Sequence, residues 1–336
     1  MTKMNNKLKF MFYFMLIFST IMAISSNSWM SMWMSLEINM MSFIPLMLNK
    51  SMRFSSNTMI KYFLTQASSS SLLIISLMLL KANYFSPQYM NSLMTLSLLV
   101  KLGASPFHWW MPSLIYEMSW LNCFIMLTWQ KIIPLYMINM MEYKSILINT
   151  CASLSALMGS MAGLNQSSLK LIMAYSSITH TGWMLHIMLI NKKMLMMYLI
   201  TYTMLTLTIT MICKTTSLLY LNQMFTMNNK NILLKMMMMM SFLSLSGLPP
   251  LVGFMPKIFT LILMNNNNMI LEPLVLMAST LISLKFYMNP MISALMLNYN
   301  NLKQKKNFNF NNITLLIIIN MMLNLILIKY FNQIMI

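Results

Sequence analysis

The sequence predicts an all-α polytopic membrane protein with about eleven transmembrane helices. Of its 336 residues, 58% are hydrophobic and 8% are charged, whereas a water-soluble domain carries roughly 25% charged residues. Apolar stretches of about 20 residues, the length that crosses a bilayer, recur along the chain. The same hydrophobicity excludes a disordered chain. The three cysteines are too few and too scattered for a disulfide framework or an iron–sulfur cluster.

The candidate spans follow one another with short connections. The first follows Lys3, Lys7 and Lys9 like a signal peptide, but no small-residue cleavage site comes after it, so we expect a retained helix. The second contains Glu37 and the fifth contains Lys131, while Gly and Pro interrupt the fourth and the ninth. In chain order the spans are 10–24, 29–48, 61–81, 90–112, 119–138, 145–163, 171–190, 194–221, 232–264, 270–298 and 313–331.

Most basic residues lie between the spans and predict the orientation of the chain. With an odd number of spans, the two termini lie on opposite sides. The N-terminal side carries Lys3, Lys7, Lys9, Lys50, Arg53, Lys61, Lys170, Lys230, Lys235, Lys303, Lys305 and Lys306, whereas the other side carries Lys81, Lys144, Lys192, Lys193 and Lys329. The positive-inside rule therefore places the N-terminus in the matrix or cytoplasm. Because these charges are dispersed, a nucleic-acid partner is excluded despite the net charge of +18.

Five lysines within the predicted spans are not assigned to the connections, and Glu37 lies near the middle of its span. A charge at the centre of a span costs at least about 2.5–3.5 kcal/mol, so it normally faces a partner or a water-filled cavity. We expect Lys214 and Lys285 to reach the interface from span ends. Apolar sequence flanks Glu37, Lys101 and Lys131 too closely for that. We predict that these three residues are functional, together with Lys257, which lies at the edge of a Gly- and Pro-rich stretch.

Two interrupted spans occupy matching positions. One break lies within 101–112 and the other within 246–257, and each has a lysine in it or at its edge. Proline removes a backbone donor and clashes with the preceding turn, so both helices should unwind. The order predicts a five-helix repeat at 1–142, an inverted five-helix repeat at 143–300 and a C-terminal helix at 301–336, each repeat with a broken fourth helix. The alternative is that Gly and Pro merely kink two long helices.

The 49 methionines suggest two interpretations. Methionine is a soft copper ligand, and the run 236–240 would be the centre of a metal path. However, methionines are spread over every span, which is typical of flexible apolar filler in a protein from an A+T-rich gene. We therefore predict no metal site.

Seven stretches resemble a known family in its own order. They are 26–39, 61–66, 101–110 (Lys-Leu-Gly-Ala-Ser-Pro-Phe-His-Trp-Trp), 127–134, 163–170, 174–183 (Ala-Tyr-Ser-Ser-Ile-Thr-His-Thr-Gly-Trp) and 245–257. The chain resembles the NADH dehydrogenase subunit 2 family of mitochondrial complex I, which are antiporter-like, proton-translocating membrane subunits. The Met and Asn content resembles arthropod versions of this family.

The resemblance implies roles for four of the buried charges. Glu37 resembles the carboxylate paired with the first broken-helix lysine, and Lys101 resembles that lysine. Lys131 resembles the central connecting lysine and Lys257 the lysine of the second broken helix. The resemblance further implies a multi-pass protein of the mitochondrial inner membrane, with its N-terminus in the matrix and its C-terminus in the intermembrane space. The partners would be other membrane-arm and accessory subunits of complex I, and the bilayer.

Two other functions remain open, and the histidines are less certain candidates. The same lysines would suit a free-standing cation/proton antiporter, or a scaffold in which buried charges only lock helices together. His180 could relay protons between Lys131 and Lys257, although a neutral histidine bonded to a neighbouring helix explains its position too. His108 and His186 have weaker cases. We expect loop or span-end positions for Glu117, Glu142 and Glu272, with Glu142 and Lys144 paired at the surface.

No redox site is visible in the sequence. It has no Gly-rich dinucleotide fingerprint, no cysteine cluster and no evident pair of haem ligands. No cofactor is therefore predicted for this chain, and NADH, FMN, iron–sulfur clusters and ubiquinone would belong to other subunits of the complex that the resemblance implies.

Overall fold

A computed structural model describes residues 6–48, 52–82, 86–141, 146–224, 232–249 and 251–295. Within these ranges every regular element is helical. The C-terminal span predicted at 313–331 lies outside the described residues, as do Glu142 and Lys144. The α-helices are α1 (Asn6–Ser25), α2 (Trp29–Leu46), α3 (Met52–Lys81), α4 (Pro87–Leu102), α5 (Trp110–Glu117), α6 (Trp120–Leu127), α7 (Trp129–Asn139), α8 (Ile146–Gly163), α9 (Leu169–Ile190), α10 (Lys192–Thr216), α11 (Ile232–Ser246), α12 (Phe254–Asn266) and α13 (Leu271–Leu295).

Six helical segments of the described residues are long and apolar enough to cross a bilayer. They are 6–25, 56–81, 120–139, 146–163, 192–216 and 271–293, and the segment 234–246 is apolar but shorter. The outer helices keep large apolar side chains on their exposed faces, as Phe10 and Phe14 do on α1. Such faces suit lipid and not water, so the all-α, multi-pass class predicted from the sequence is confirmed.

The first predicted break separates α4 from α5. Gly103 takes a left-handed conformation, with φ of 66°, which glycine adopts without a steric penalty. Its N–H donates to the carbonyl of Val100 and the N–H of Ala104 donates to that of Leu99, a common way to end a helix. The indole N–H of Trp110 also donates to Val100 O at 3.1 Å, which holds the start of α5 against the end of α4.

The second predicted break separates α11 from α12. Gly247 follows α11 with φ of 79°, again in the left-handed region. Gly253 then packs directly on the backbone of Ser244, because a Cβ at position 253 would overlap the carbonyl oxygen of that residue. The chain therefore folds back onto the end of α11 before α12 begins. The predicted ninth span, 232–264, is two half-helices.

A third interruption was not predicted. The helical segment 120–139 is divided at Thr128, whose φ of −118° and ψ of −66° are irregular for a helix. The Thr128 hydroxyl donates to Phe124 O at 2.7 Å, an interaction that often bends helices. Six residues later, Pro134 has no N–H to offer the carbonyl of Gln130. Lys131 therefore lies between two irregular points of the backbone.

Helix α9 forms the centre of the second half of the molecule. It packs against α5, α6, α7, α8, α10, α12 and α13 and is buried along nearly its whole length. Its contact with α8 is close because Gly159 and Gly182 face backbone atoms of the opposite helix. Polar side chains of α9 are thus placed in the interior, where they meet lysines from other helices.

Candidate functional site

Each predicted lysine lies where a helix starts or stops inside the protein. Lys101 is in the last turn of α4, Lys131 in the first turn of α7 and Lys257 in the first turn of α12. All three are buried, with exposed fractions of 6%, 2% and 6%. The carboxyl end of a helix leaves backbone carbonyls without helical partners, and these can accept from a buried ammonium group. The end of α11 does this for Lys257.

Glu37 and Lys101 form the first part of the site. Glu37 is on α2 and is half-buried, and its charge interacts electrostatically with Lys101 and with the side chain of Tyr62. Its Oε1 atom is buried and has no hydrogen-bond partner among the described residues. The charge of the carboxylate thus acts on the lysine and favours its protonated form.

A small cavity joins Lys101 to Lys131. Both lysines line it, together with Tyr62, Gln66 and Gln130. The volume open to the centres of water molecules is about 10 Å³, which is close to the space that one water molecule requires. The lining offers amide, hydroxyl and ammonium groups, so a water molecule there would find polar partners. The cavity connects the end of α4 with the start of α7.

A hydrogen-bonded group closes one side of this cavity. The amides of Asn39 and Gln130 bond to each other reciprocally, at 3.1 Å and 3.4 Å, and the Tyr62 hydroxyl donates to Gln130 Oε1 at 3.3 Å. Asn39 is on α2, two residues after Glu37, and Gln130 immediately precedes Lys131. The network therefore links the helix of the carboxylate to the helix of the central lysine.

Lys131 is bonded to α9. Its ammonium donates to the carbonyl of Ser177 at 3.0 Å and lies 5.2 Å from the centre of the Tyr202 ring. The Tyr202 hydroxyl is buried beside the Ser177 side chain. A carbonyl and an aromatic face both favour a cation. Neither carries a full negative charge, so they hold the lysine without fixing its proton permanently.

Lys257 is bonded to the end of α11. Its ammonium donates to Leu245 O at 3.1 Å and to Ser246 O at 2.8 Å, the carbonyls that the end of α11 leaves free. The Trp183 ring centre lies 6.0 Å from the same nitrogen. The side chain passes over Gly247, where a Cβ would come within 2.8 Å of Lys257 Cδ. A larger residue at position 247 would strain the left-handed backbone and would also clash with the Lys257 side chain.

His180 interacts electrostatically with the central lysine, Lys131, and with the lysine of the second broken helix, Lys257. Its Nδ1 is 2.7 Å from the Tyr198 hydroxyl, and its ring centre is 5.0 Å from that of Tyr202. Its Nε2 is buried without a hydrogen-bond partner in the described part of the chain. This histidine is bonded to a neighbouring helix and also interacts with two lysines, so the relay role stays a prediction beside the neutral, bonded histidine.

Comparison with known proteins identifies the family. The family described as NADH:quinone oxidoreductase/Mrp antiporter, transmembrane, matches residues 26–284. NADH-ubiquinone oxidoreductase chain 2 of Anopheles gambiae is 43% identical over 92% of both chains, and that of Locusta migratoria is 36% identical over 88% of both. The chain belongs to the NADH-ubiquinone oxidoreductase chain 2 family. The resemblance seen in the sequence, including the arthropod likeness, is confirmed.

Solved structures show that the fold of this family is shared more widely. A chain of respiratory complex I from Thermus thermophilus with bound aureothin is 18% identical and superposes with a TM-score of 0.87, covering 97% of this chain and 79% of that chain. A chain of the Mrp complex from Dietzia sp. DQ12-45-1b is 14% identical, with a TM-score of 0.78, covering 88% of this chain and 62% of that one. At these identities the likeness concerns the fold alone.

Three further candidates lie outside this row of residues: Lys214, Lys285 and His108. Lys214, in the last turn of α10, and Lys285, in the middle of α13, are both exposed, and their reach to the interface stays a prediction. His108 is buried in the first break and stacks on Trp109, with ring centres 5.2 Å apart. It does not join Lys101 in the small cavity.

Sequence reasoning missed three side chains that matter to this site. Asn39 and Gln130 were not selected because they are uncharged, although both lie in stretches that resemble the family. Lys170 was assigned only to topology, yet its ammonium donates to Met118 O at 2.6 Å and Tyr116 O at 3.1 Å. It therefore caps the carbonyl end of α5 and fixes the far side of the first break.

We expect the Asn39–Gln130 pair to stabilise the protein as a unit. Asn39→Leu alone should lower the free energy of unfolding by about 1–3 kcal/mol, because the Nε2 of the half-buried Gln130 would lose the oxygen to which it donates. The double variant Asn39→Leu/Gln130→Leu should cost less than the sum of the two single variants. Thermal inactivation of the isolated assembly measures this, and strictly additive losses would contradict the coupling.

Proposed function

We propose that this chain is a proton-translocating, antiporter-like subunit of respiratory complex I in the mitochondrial inner membrane. The proton path would run along Glu37, Lys101, Lys131, His180 and Lys257. One observation carries this proposal: Lys101 and Lys131 line the same cavity, while charge interactions link Glu37 to Lys101 and His180 to both Lys131 and Lys257. The names of the family relatives support the same function.

The chemistry follows from how each group holds its proton. A carboxylate beside a buried lysine favours the charged form, and burial alone disfavours it. When the Glu37–Lys101 interaction weakens, Lys101 would release its proton toward Lys131 through the cavity. Lys131 would pass a proton to His180, whose two ring nitrogens can accept on one side and donate on the other, and Lys257 would receive it. Each tenfold change in proton affinity corresponds to about 1.4 kcal/mol, so modest movements of charge suffice.

The proposed architecture is a pair of inverted repeats at 1–142 and 143–300, with a C-terminal helix at 301–336. The breaks after α4 and after α11, each adjoining a buried lysine, support this arrangement. The N-terminus would face the matrix and the C-terminus the intermembrane space. Other membrane-arm and accessory subunits and lipid would be the partners, and the redox cofactors would be bound elsewhere in the assembly. Redox energy would reach this row from those neighbours.

Lys101→Met tests the function. In the assembly reconstituted into liposomes, this variant should lower the number of protons moved per NADH oxidised, because the carboxylate loses its titrating partner. The matched control is Lys285→Met, which removes an exposed lysine from another membrane helix. An unchanged ratio in Lys101→Met would refute the proposal. A chain that never migrates with an NADH-oxidising assembly would instead favour the free-standing antiporter.

A further inference from the structure

A second polar group lies outside the row, where α8, α9 and α13 meet. His186 on α9 is 1% exposed, and both of its ring nitrogens are buried without a hydrogen-bond partner in the described ranges. The charge of Glu272 on α13 acts on it. Glu272 Oε1 accepts a hydrogen bond of 2.6 Å from Asn149 Nδ2 on α8. An ionisable ring and a carboxylate are thus brought together by three helices.

The packing of α8 against α9 places His186 and Asn149 at the same level of the bundle. Gly182 lies against the backbone of Ala152 and Ala156 on α8. Helices α8 and α9 are antiparallel. His186 is one turn after Gly182 on α9, and Asn149 is one turn before Ala152 on α8, so the two residues lie opposite each other. The three residues therefore form one layer across the bundle, which we call the polar layer: Asn149, His186 and Glu272.

The polar layer lies near one end of the bundle. Helix α8 begins at Ile146, α9 ends at Ile190 and α13 begins at Leu271, so these ends share a face of the protein. His186 is four residues from the end of α9, or about 6 Å along the helix axis. Glu272 is half-buried and follows Leu271, which is 74% exposed. The carboxylate is therefore within reach of the surface.

The row ends deeper in the protein than the polar layer. Helix α12 ends at Asn266 on the side where α13 begins, and Lys257 is nine residues before that end, or about 13 Å. Trp183, whose ring contacts the Lys257 ammonium, is one turn before His186 on α9. From Lys257 to Glu272, ionisable groups thus occur at decreasing depth toward a single face.

We propose that His186 and Glu272, positioned by Asn149, exchange protons between Lys257 and the aqueous phase at the face where α8 and α13 begin. This rests on the proposed function of the row and adds its connection to one side of the membrane. One ring nitrogen of His186 accepts a proton from the side of Lys257, and the other gives up its proton to the Glu272 carboxylate. The carboxylic acid then releases it to water, which leaves a neutral histidine and an ionised glutamate.

Variants of the polar layer test the inference in the assembly reconstituted into liposomes. If the layer is in series with the row, His186→Gln and Glu272→Gln should each reduce the protons moved per NADH oxidised as far as Lys131→Met does. Glu272→Gln keeps an oxygen for Asn149 but cannot titrate. Glu272→Asp keeps the carboxylate and should largely retain the ratio. The control, Lys193→Gln, removes a charge at the same face but outside the layer and should leave the ratio unchanged.

The outcomes separate the two proposals. If Lys131→Met lowers the ratio while His186→Gln and Glu272→Gln do not, the row stands and the polar layer has no part in it. If Glu272→Asp and Glu272→Gln lose the ratio equally, the glutamate is only structural and the inference fails. If Lys131→Met itself leaves the ratio unchanged, the proposed function is wrong. The ratio is measured on assembled protein, so a loss of stability alone does not alter it.

Discussion

Replacing Lys131 with methionine is expected to stop proton movement along the row while the protein still folds. Methionine matches the length of the lysine stem, and an apolar side chain at this buried position avoids the cost of burying an ammonium group. A positioned acid–base group speeds proton transfer by about 10²–10⁴-fold, so its removal should effectively interrupt the path between the cavity and His180. The measurement is the number of protons moved per NADH oxidised by the assembly in liposomes.

Lys131→Arg distinguishes a proton carrier from a scaffold. Arginine keeps a positive charge near Ser177 O and the Tyr202 ring, but its guanidinium does not release a proton in proteins. A carrier role therefore predicts that arginine fails as methionine does. If buried charges only lock helices together, arginine should retain function while methionine loses it. Full proton movement in Lys131→Met would rule out the central role of this lysine.

Gly253→Ala is expected to prevent stable assembly, because the added methyl group meets the backbone of α11. The new Cβ would overlap the carbonyl oxygen of Ser244 and lie 2.7 Å from its carbonyl carbon. Both are backbone atoms at the end of α11, so no side-chain rotation relieves the contact. The cost should exceed about 4 kcal/mol, which single substitutions rarely reach. The amount of assembled complex on native gels measures the effect.

Gly163→Ala is the matched control for this substitution. Its Cβ would meet only ring atoms of Phe286, at 3.0–3.4 Å. An aromatic side chain can shift by tenths of an ångström, so we expect a loss of about 1–3 kcal/mol and assembly that persists. Equal assembly of Gly253→Ala and the unmodified chain would mean that the second break does not require the close backbone contact.

The sequence predicted the membrane class and both helix breaks for reasons that are local. Hydrophobicity over about 20 residues follows from the bilayer itself, and Gly and Pro disturb a helix wherever they occur. The break at Thr128 was missed, since threonine is tolerated in helices and its bond to Phe124 is visible only in the fold. For Glu37, Lys101, Lys131 and Lys257 the signal was a charge in an apolar stretch, which is costly wherever it is buried.

Contacts between distant segments decided the rest. Asn39 and Gln130 are separated by 91 positions, and Asn149 and Glu272 by 123, so neither pair has a local signature. Lys170 looked like a topology marker until the fold placed the end of α5 against its ammonium. His186 was a weaker candidate than His180 in the sequence, because Glu272, whose charge acts on it, lies far from it along the chain. The sequence by itself determined which groups are charged, apolar or helix-breaking, because those are properties of residues and their neighbours along the chain. Only the tertiary structure decided which groups share a cavity or a layer, because helix packing brings together residues far apart in sequence.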